Sequence, residues 1–386
     1  MPLSLYLHIP FCRHRCAYCD FNTYAGQDEL VPAYVESLCR EILAVSESAG
    51  EKLAVHTVFF GGGTPSLLTT SQFERILSAI GERFDLQPDA EISIEANPGT
   101  VSGDGLRELR ALGVNRISFG VQSANPEELR MLERQHDYAD VVHAVASARA
   151  AGFDNLNLDL IFGLPEQSLE SWQHTLDLVL GLHPEHFSLY ALTLEHGTPF
   201  GRWSARGLMP LPDPDLAAEM YERASDVLGA ADYRQYEISN WSKPGRQCRH
   251  NLQYWRNLPY LGLGAGAHGF AAGVRYSNVL RIRTYVERLS RPAHTPFPLS
   301  PAAVNQHRID PATDMGETMI TGLRLTEEGV SAAAFKRRFG RELLEVYGPD
   351  VDDLLGLGLL EWSGDALHLT VRGRLLGNQV FMKFVD

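Results

Sequence analysis

The sequence predicts an α/β fold, in which a partial, TIM-like (β/α)6 barrel is followed by an accessory region and a small C-terminal domain of winged-helix type. Three observations predict it. Short β-branched or alternating apolar runs alternate six times with helical patterns, as parallel βαβ units with right-handed crossovers do. Chemically unusual residues repeatedly fall at the ends of the strands, where the loops of a barrel rim carry its active site. Near residue 306 the pattern changes to helices followed by a hairpin.

The strand-like runs are 3–9, 56–60, 91–96, 116–121, 155–161 and 186–192. Helical patterns occupy 29–46, 70–84, 102–112, 126–132, 139–151 and 169–182. An open twisted sheet shows the same alternation, so the strand ends decide for a barrel. A cysteine cluster follows the first strand, Gly61-Gly62-Gly63-Thr64-Pro65 the second, and Glu95-Ala96-Asn97-Pro98 ends the third. Gln122 follows the fourth, Asp159 lies in the fifth and Ala191 closes the sixth, so all converge on one rim.

These units make a first domain, 1–214, whose regular alternation stops beyond Thr193 in a Gly- and Pro-rich stretch. The accessory region, 215–305, combines a helical pattern at 216–228, a strand-like run at 233–238 and a glycine-rich stretch at 262–267. The Pro-rich run 291–302 reads as a linker. In the C-terminal domain, 306–386, helical patterns near 317–324, 332–339 and 351–357 precede a hairpin-like 359–369.

Composition restricts the function. With 34 Lys plus Arg against 48 Asp plus Glu, the net charge of −14 repels phosphate backbones, and nucleic acid is not an expected partner. The 44% hydrophobic and 21% charged fractions are those of a globular protein, with no apolar run long enough to span a membrane. Residues 1–5 carry no basic leader, which implies a cytoplasmic protein. Five cysteines are an odd number, and three of them crowd one loop while Cys39 and Cys248 stand apart. In a reducing compartment such crowding points to metal or redox chemistry rather than disulfides.

That loop reads Cys12-Arg13-His14-Arg15-Cys16-Ala17-Tyr18-Cys19. Thiolates suit both iron–sulfur clusters and zinc. A [4Fe-4S] cube held by Cys12, Cys16 and Cys19 leaves one iron open to a small molecule, whereas zinc requires a fourth ligand, for which His8 and His14 are at hand. A redox pair of Cys16 and Cys19, or ordinary free thiols, are the remaining readings. Arg13 and Arg15 are expected to lower the thiol pKa values.

A Cys-x3-Cys-x2-Cys loop after a first strand, with Tyr18 just before the last Cys, resembles the radical S-adenosylmethionine (SAM) superfamily. The resemblance implies a [4Fe-4S] cluster whose open iron is chelated by SAM, which the cluster cleaves to a 5′-deoxyadenosyl radical. Gly61-Gly62-Gly63 and Thr64 suit the methionyl amino group, and Glu95, Gln122, Arg134 and Asp159 supply acceptors, an amide and a cation for the rest of the cofactor. Tyr6-Leu7-His8-Ile9-Pro10-Phe11-Cys12, Phe119-Gly120-Val121-Gln122, Asp159-Leu160-Ile161-Phe162-Gly163-Leu164-Pro165 and Tyr236-Glu237-Ile238-Ser239-Asn240 narrow it to the oxygen-independent coproporphyrinogen III oxidase family, over nearly the whole chain. The C-terminal domain is then HemN-like. On that family's pattern Tyr6, Gly62, Glu95 and Ala191 would touch the cluster-bound SAM. Tyr18, Gly63, Thr64, Gln122, Arg134 and Asp159 match positions that contact a second SAM in the decarboxylating enzyme.

Two departures matter. The decarboxylating enzyme continues as Cys-x-Cys where this chain has Cys19-Asp20-Phe21, and it carries an N-terminal extension where this chain starts five residues before Tyr6. Both are shared with a sister group, the HemW heme chaperones, marked by a motif present here as His250-Asn251-Leu252-Gln253-Tyr254-Trp255. The resemblance implies that His250 ligates heme, with Cys248 as an alternative and Arg246, Arg249 and Arg256 near the propionates. From the residues alone, His250 reads as a hydrogen-bonded core histidine. His268 and the other histidines carry no assignment. The expected function is heme binding and delivery to an acceptor, a membrane or respiratory hemoprotein. The alternative is oxidative decarboxylation of coproporphyrinogen III.

Overall fold

The computed structural model describes residues 2–291 and 293–385. Met1, with which the reading of the N-terminus begins, and Pro292 of the Pro-rich run lie outside the described residues. The six strands are β1 (Leu3–Ile9), β2 (Ala54–Gly62), β3 (Asp85–Ala96), β4 (Arg116–Gln122), β5 (Leu156–Phe162) and β6 (His186–Ala191). They lie parallel and adjacent in that order. Strands covered on both faces are near-continuously apolar, and in β1 every residue but Tyr6 is buried.

The crossovers carry α1 (Val31–Ala49), α2 (Thr70–Arg83), α3 (Gly103–Ala111), α4 (Pro126–Met131), α5 (Tyr138–Ala150) and α6 (Leu169–Leu180). Local chemistry sets their starts. Thr69 and Gln72 form a capping box at α2, Asp137 and Asp140 another at α5, and Ser102, Asn125 and Ser168 cap α3, α4 and α6 with their side chains. Val35, Leu38 and Ile42 of α1 and Phe73, Ile76 and Ile80 of α2 pack on Leu5, Leu7, Val58 and Phe60 in one core.

The sheet continues past residue 214. Helix α7 (Pro199–Ala205) is followed by α8 (Pro214–Ala230), which packs on α6, and β7 (Arg234–Glu237) and β8 (Asn240–Ser242) extend the edge beyond β6. After α9 (Arg249–Trp255) the chain crosses to the other edge, where β9 (Tyr260–Leu263) lies parallel to β1 as a seventh parallel strand. Strands β10 (His268–Ala271), β11 (Val274–Asn278) and β12 (Ala303–Arg308) add antiparallel neighbours. The result is one 12-stranded sheet whose order is a line rather than a ring, an incomplete barrel.

The boundary read at 305 therefore falls inside β12, because residues 303–308 pair with β11. The Pro-rich run is not loose either. Ser300 donates to buried Glu41 (2.6 Å), which also accepts from Tyr285 (2.6 Å), Asn278 (2.7 Å) and the Gly264 N–H (2.7 Å).

Helix α10 (Ile282–Leu289) closes this edge, and the C-terminal unit follows as α11 (Pro311–Gly322), β13 (Val330–Ser331), α12 (Ala332–Phe339), α13 (Leu343–Gly356), β14 (Leu360–Ser363) and β15 (Ala366–Leu369). Helices backed by a three-stranded sheet enclose a separate core of Met319, Leu323, Phe335, Val351, Leu354 and Leu367. The unit is tied to the barrel where Asn257 donates to Asp314 and Thr318 and the Ile238 N–H to the Arg324 carbonyl. Among the described residues no helix is long and apolar enough to cross a membrane.

Candidate functional site

After β1 the chain forms a closed lobe, since Phe11 and Cys12 pair with Tyr24 and Ala25 at its base. Arg15 donates to the carbonyls of Cys19 (3.3 Å) and Phe21 (3.4 Å), so it braces the loop backbone. Cys12, Cys16 and Cys19 are free thiols and line one cavity of about 440 Å³ on the barrel rim. Burial pushes the Cys12 and Cys19 thiols up, outweighing Arg15 at Cys19, so the expected lowering by the flanking arginines does not hold for these two. Two thiols nonetheless face donors, Cys12 from the Thr64 hydroxyl (3.6 Å) and Cys16 from Arg134 Nη1 (3.7 Å), as thiolate ligands require.

The zinc reading lacks its fourth ligand. His8 Nε2 donates to the Asn22 carbonyl (2.9 Å) and its Nδ1 accepts from the Tyr6 hydroxyl (3.0 Å), while His14 pairs with Glu133 (3.2 Å). Among the described residues no three His, Cys, Asp or Glu side chains converge on a single ion position. A four-iron cluster places each thiolate on a different iron and needs no such convergence. The donor set therefore fits the cluster.

The rest of the rim cavity comes from the other strand ends. Gly62, at φ 112°, donates its N–H to Glu95 (3.0 Å), and a Cβ there would sit 2.5 Å from the His8 ring. A Cβ on Gly63 would meet the Phe11 carbonyl at 2.6 Å, so the glycines are required by β1 and by the lobe that follows it, packed against them. Arg134 donates to the Gly120 carbonyl (2.6 Å) and to Asn97, and lies 3.5 Å from the Tyr18 hydroxyl. Gln122 (φ 70°) and Glu133 (φ 55°) hold left-handed backbone on either side of this cation, a conformation costly for such residues and concentrated at functional sites. Asp159 accepts from Ser118 (2.8 Å) and Asn157 (2.8 Å). Burial, with Asp159 nearby, pushes Glu95 up to about 7.

Tyr18, Gly62, Gly63, Thr64, Glu95, Gln122, Arg134, Asp159 and Ala191 thus share one cavity with the three cysteines. Among the lining residues without an assignment from the sequence, Asn97 and Tyr190 stand out. Asn97 bridges the Thr64 hydroxyl (3.2 Å) and Arg134, and Tyr190 stands 44% exposed beside Ala191. Their position at the ends of β3 and β6 was the available signal.

Tyr6 and His250 lie elsewhere. Tyr6 lines a second cavity, of about 650 Å³, with His8, Tyr254, Trp255, Tyr260, His268 and Arg275, and Asp20 and Phe21 border both cavities. His250 lines neither. It is 1% exposed, Thr57 donates onward to Ser4 (2.6 Å) and so accepts from His250 Nδ1 (2.8 Å), and Nε2 accepts from the Tyr254 hydroxyl (2.7 Å). Burial pushes its pKa down to about 3, so the ring is neutral and its single lone pair is taken. The core-histidine reading describes this side chain, and the heme-ligand reading has no free nitrogen there. Cys248 is also buried, donates to Glu91 (3.6 Å) and is pushed up to about 12. Arg246, Arg249 and Arg256 are paired with Asp154, Asp89 and Glu328, and none borders either cavity.

Comparison with known proteins matches residues 6–179 to the radical SAM superfamily and 309–376 to the HemN C-terminal domain. The chain is 39% identical to the heme chaperone HemW of Bacillus subtilis (strain 168), covering 99% of each chain. It is 38% identical to the heme chaperone HemW of Escherichia coli (strain K12), covering 100% of this chain and 98% of that one. Among solved structures, the coproporphyrinogen III oxidase HemN of Escherichia coli, a radical SAM enzyme, superposes with a TM-score of 0.83 at 25% identity, over 99% of this chain and 90% of that one.

Proposed function

The chain belongs to the HemW family of the radical SAM superfamily, and from that premise we propose that it is a heme chaperone, which binds heme and passes it to an acceptor protein. Cys12, Cys16 and Cys19 hold a [4Fe-4S] cluster at the rim. Gly62, Glu95 and Ala191 hold SAM beside it, with Tyr6 packed behind Gly61 on the side of the second cavity, and Tyr18, Gly63, Thr64, Gln122, Arg134 and Asp159 complete the polar wall. When bound, the cluster supplies the electron that cleaves SAM. The acceptor is a hemoprotein, membrane-bound or respiratory, and the chaperone works from the cytoplasm.

The observation that carries this reading is the second cavity. It is walled by Tyr254 and Trp255 of the family motif and borders the rim cavity at Asp20 and Phe21, where the decarboxylating enzyme has a further cysteine. Aromatic walls of this kind suit a flat macrocycle. The likeness to coproporphyrinogen III oxidase supports a second reading, decarboxylation of the porphyrinogen.

One experiment separates them. Protein with an anaerobically reconstituted cluster is titrated with hemin, and in parallel supplied with coproporphyrinogen III, SAM and reductant. A saturable Soret change without protoporphyrinogen is expected; protoporphyrinogen formation, or no Soret change at all, overturns the chaperone.

A further inference from the structure

We propose that the axial ligand of the bound heme is His268, seated in the second cavity, and that the motif histidine, His250, acts only by positioning Tyr254. The proposal rests on the heme-chaperone reading and assigns its site.

Iron in heme is held by an imidazole, thiolate, thioether or phenolate with an available lone pair. Of the histidines lining the second cavity, His8 spends one nitrogen on Tyr6 and the other on the Asn22 carbonyl, and His250, behind the wall, spends its two on Thr57 and Tyr254. His268 differs. It opens β10 opposite Ser277 of the neighbouring strand, its side chain is exposed on the cavity wall, and among the described residues it has no hydrogen-bond, ion-pair or ring partner.

The surroundings fit a porphyrin. Tyr254 and Tyr260 meet edge to face at 4.5 Å between ring centroids, and the His250 bond to the Tyr254 hydroxyl holds that ring in the wall. Phe21, 64% exposed, borders the same space. Two buried donors among the cavity residues have no partner, Trp255 Nε1 and Arg275 Nε. Arg275 lies over the Phe270 ring (4.6 Å) and pairs with Glu317 through its Nη2, which places a guanidinium on the cavity wall as the cation for an anionic propionate. Arg246, Arg249 and Arg256 have no such access.

The test is hemin titration of the full chain with its cluster reconstituted, read by Soret position and affinity, in the wild type, His268→Ala, His268→Cys and His250→Gln. His268→Ala is expected to bind at least about tenfold more weakly, with added imidazole restoring the wild-type spectrum. His268→Cys is expected to shift the Soret band to that of a thiolate-ligated heme. His250→Gln is expected to keep the wild-type Soret position, because the iron ligand is untouched, with its effect confined to affinity through the Tyr254 ring. An unchanged spectrum and affinity in His268→Ala overturns the assignment, as does loss of the spectrum in a folded His250→Gln. Should His268→Ala fail to retain its cluster, an unshifted Soret band in His268→Cys overturns it instead. A wild type that binds no hemin overturns the chaperone reading itself, whereas a wild type that binds beside an indifferent His268→Ala overturns only the ligand.

Discussion

The two cavities meet at Asp20 and Phe21, yet they are assembled in different ways. Around the rim cavity each βα unit contributes at its own strand end: Cys12 after β1, Gly62 at the end of β2, Glu95 in β3, Gln122 in β4, Asp159 in β5 and Ala191 in β6. The second cavity joins Tyr6 of β1, Tyr254 of α9, His268 of β10 and Thr321 of the C-terminal unit, segments brought together only by the strands added at the sheet edge. A repeated architecture delivers one site by register. The other depends on long-range docking, and its key bonds cannot be deduced from any local pattern.

The largest expected effect tests that separation directly. Cys12→Ser, Cys16→Ser or Cys19→Ser each abolishes the cluster, measured as iron and sulfide content and loss of brown absorbance, while hemin affinity stays within about threefold because no second-cavity ligand has been removed. Retention of full iron by any of the three refutes that ligand.

Next in size is the rim carboxylate. Glu95 is raised in the fold to about 7, so the native state binds its proton more tightly than the unfolded chain, and stability contributed below pH 4.5 is lost as pH rises through about 7. For the cluster-free protein this loss is on the order of 3 kcal/mol. Denaturant melts of Glu95→Gln across that window should show a flatter profile; a profile parallel to the wild type contradicts it.

In the second region, His250→Ala leaves Thr57 and Tyr254 without their buried partner and should cost about 1–3 kcal/mol in chemical denaturation. The sign with pH is opposite to that of Glu95. His250 is depressed to about 3, so its contribution is present above the unfolded value of 6.5 and is lost as pH falls towards 3. His250→Gln should soften the acid limb, and an unaltered limb would count against the assignment.

The smallest effect concerns the arginines first placed at the propionates. Arg246→Ala, Arg249→Ala and Arg256→Ala break exposed ion pairs and should each change stability by less than about 1 kcal/mol. None should move the hemin titration, and a tenfold weakening in any of them would restore that residue to the heme site.

The rim was legible because its chemistry is spaced by the fold's own period. Each strand-like run ended within a few residues of a group that the structure places in the cavity, and the glycines at 62 and 63 follow from close packing that a Cβ would break. Asn97 was harder to see, since its role is to hold Arg134, 37 residues further along. Tyr6 was placed correctly in β1, but its ring belongs to the second cavity. The boundary at 305 missed because β12 pairs with β11 across the Pro-rich run, and pairing of that kind leaves no mark in composition.

By itself the sequence determined the six βα units, the three-cysteine loop, the polar rim and the family, because periodicity, caps and motif spacing are local quantities. Only the tertiary structure decided which histidine has a nitrogen to offer. His250 is taken by Thr57, 193 residues away, and His268 is left open by a hairpin that carries it to the cavity wall. A side chain's lone pair is spent or free according to what packs beside it, and that is settled by contacts between segments the chain keeps far apart.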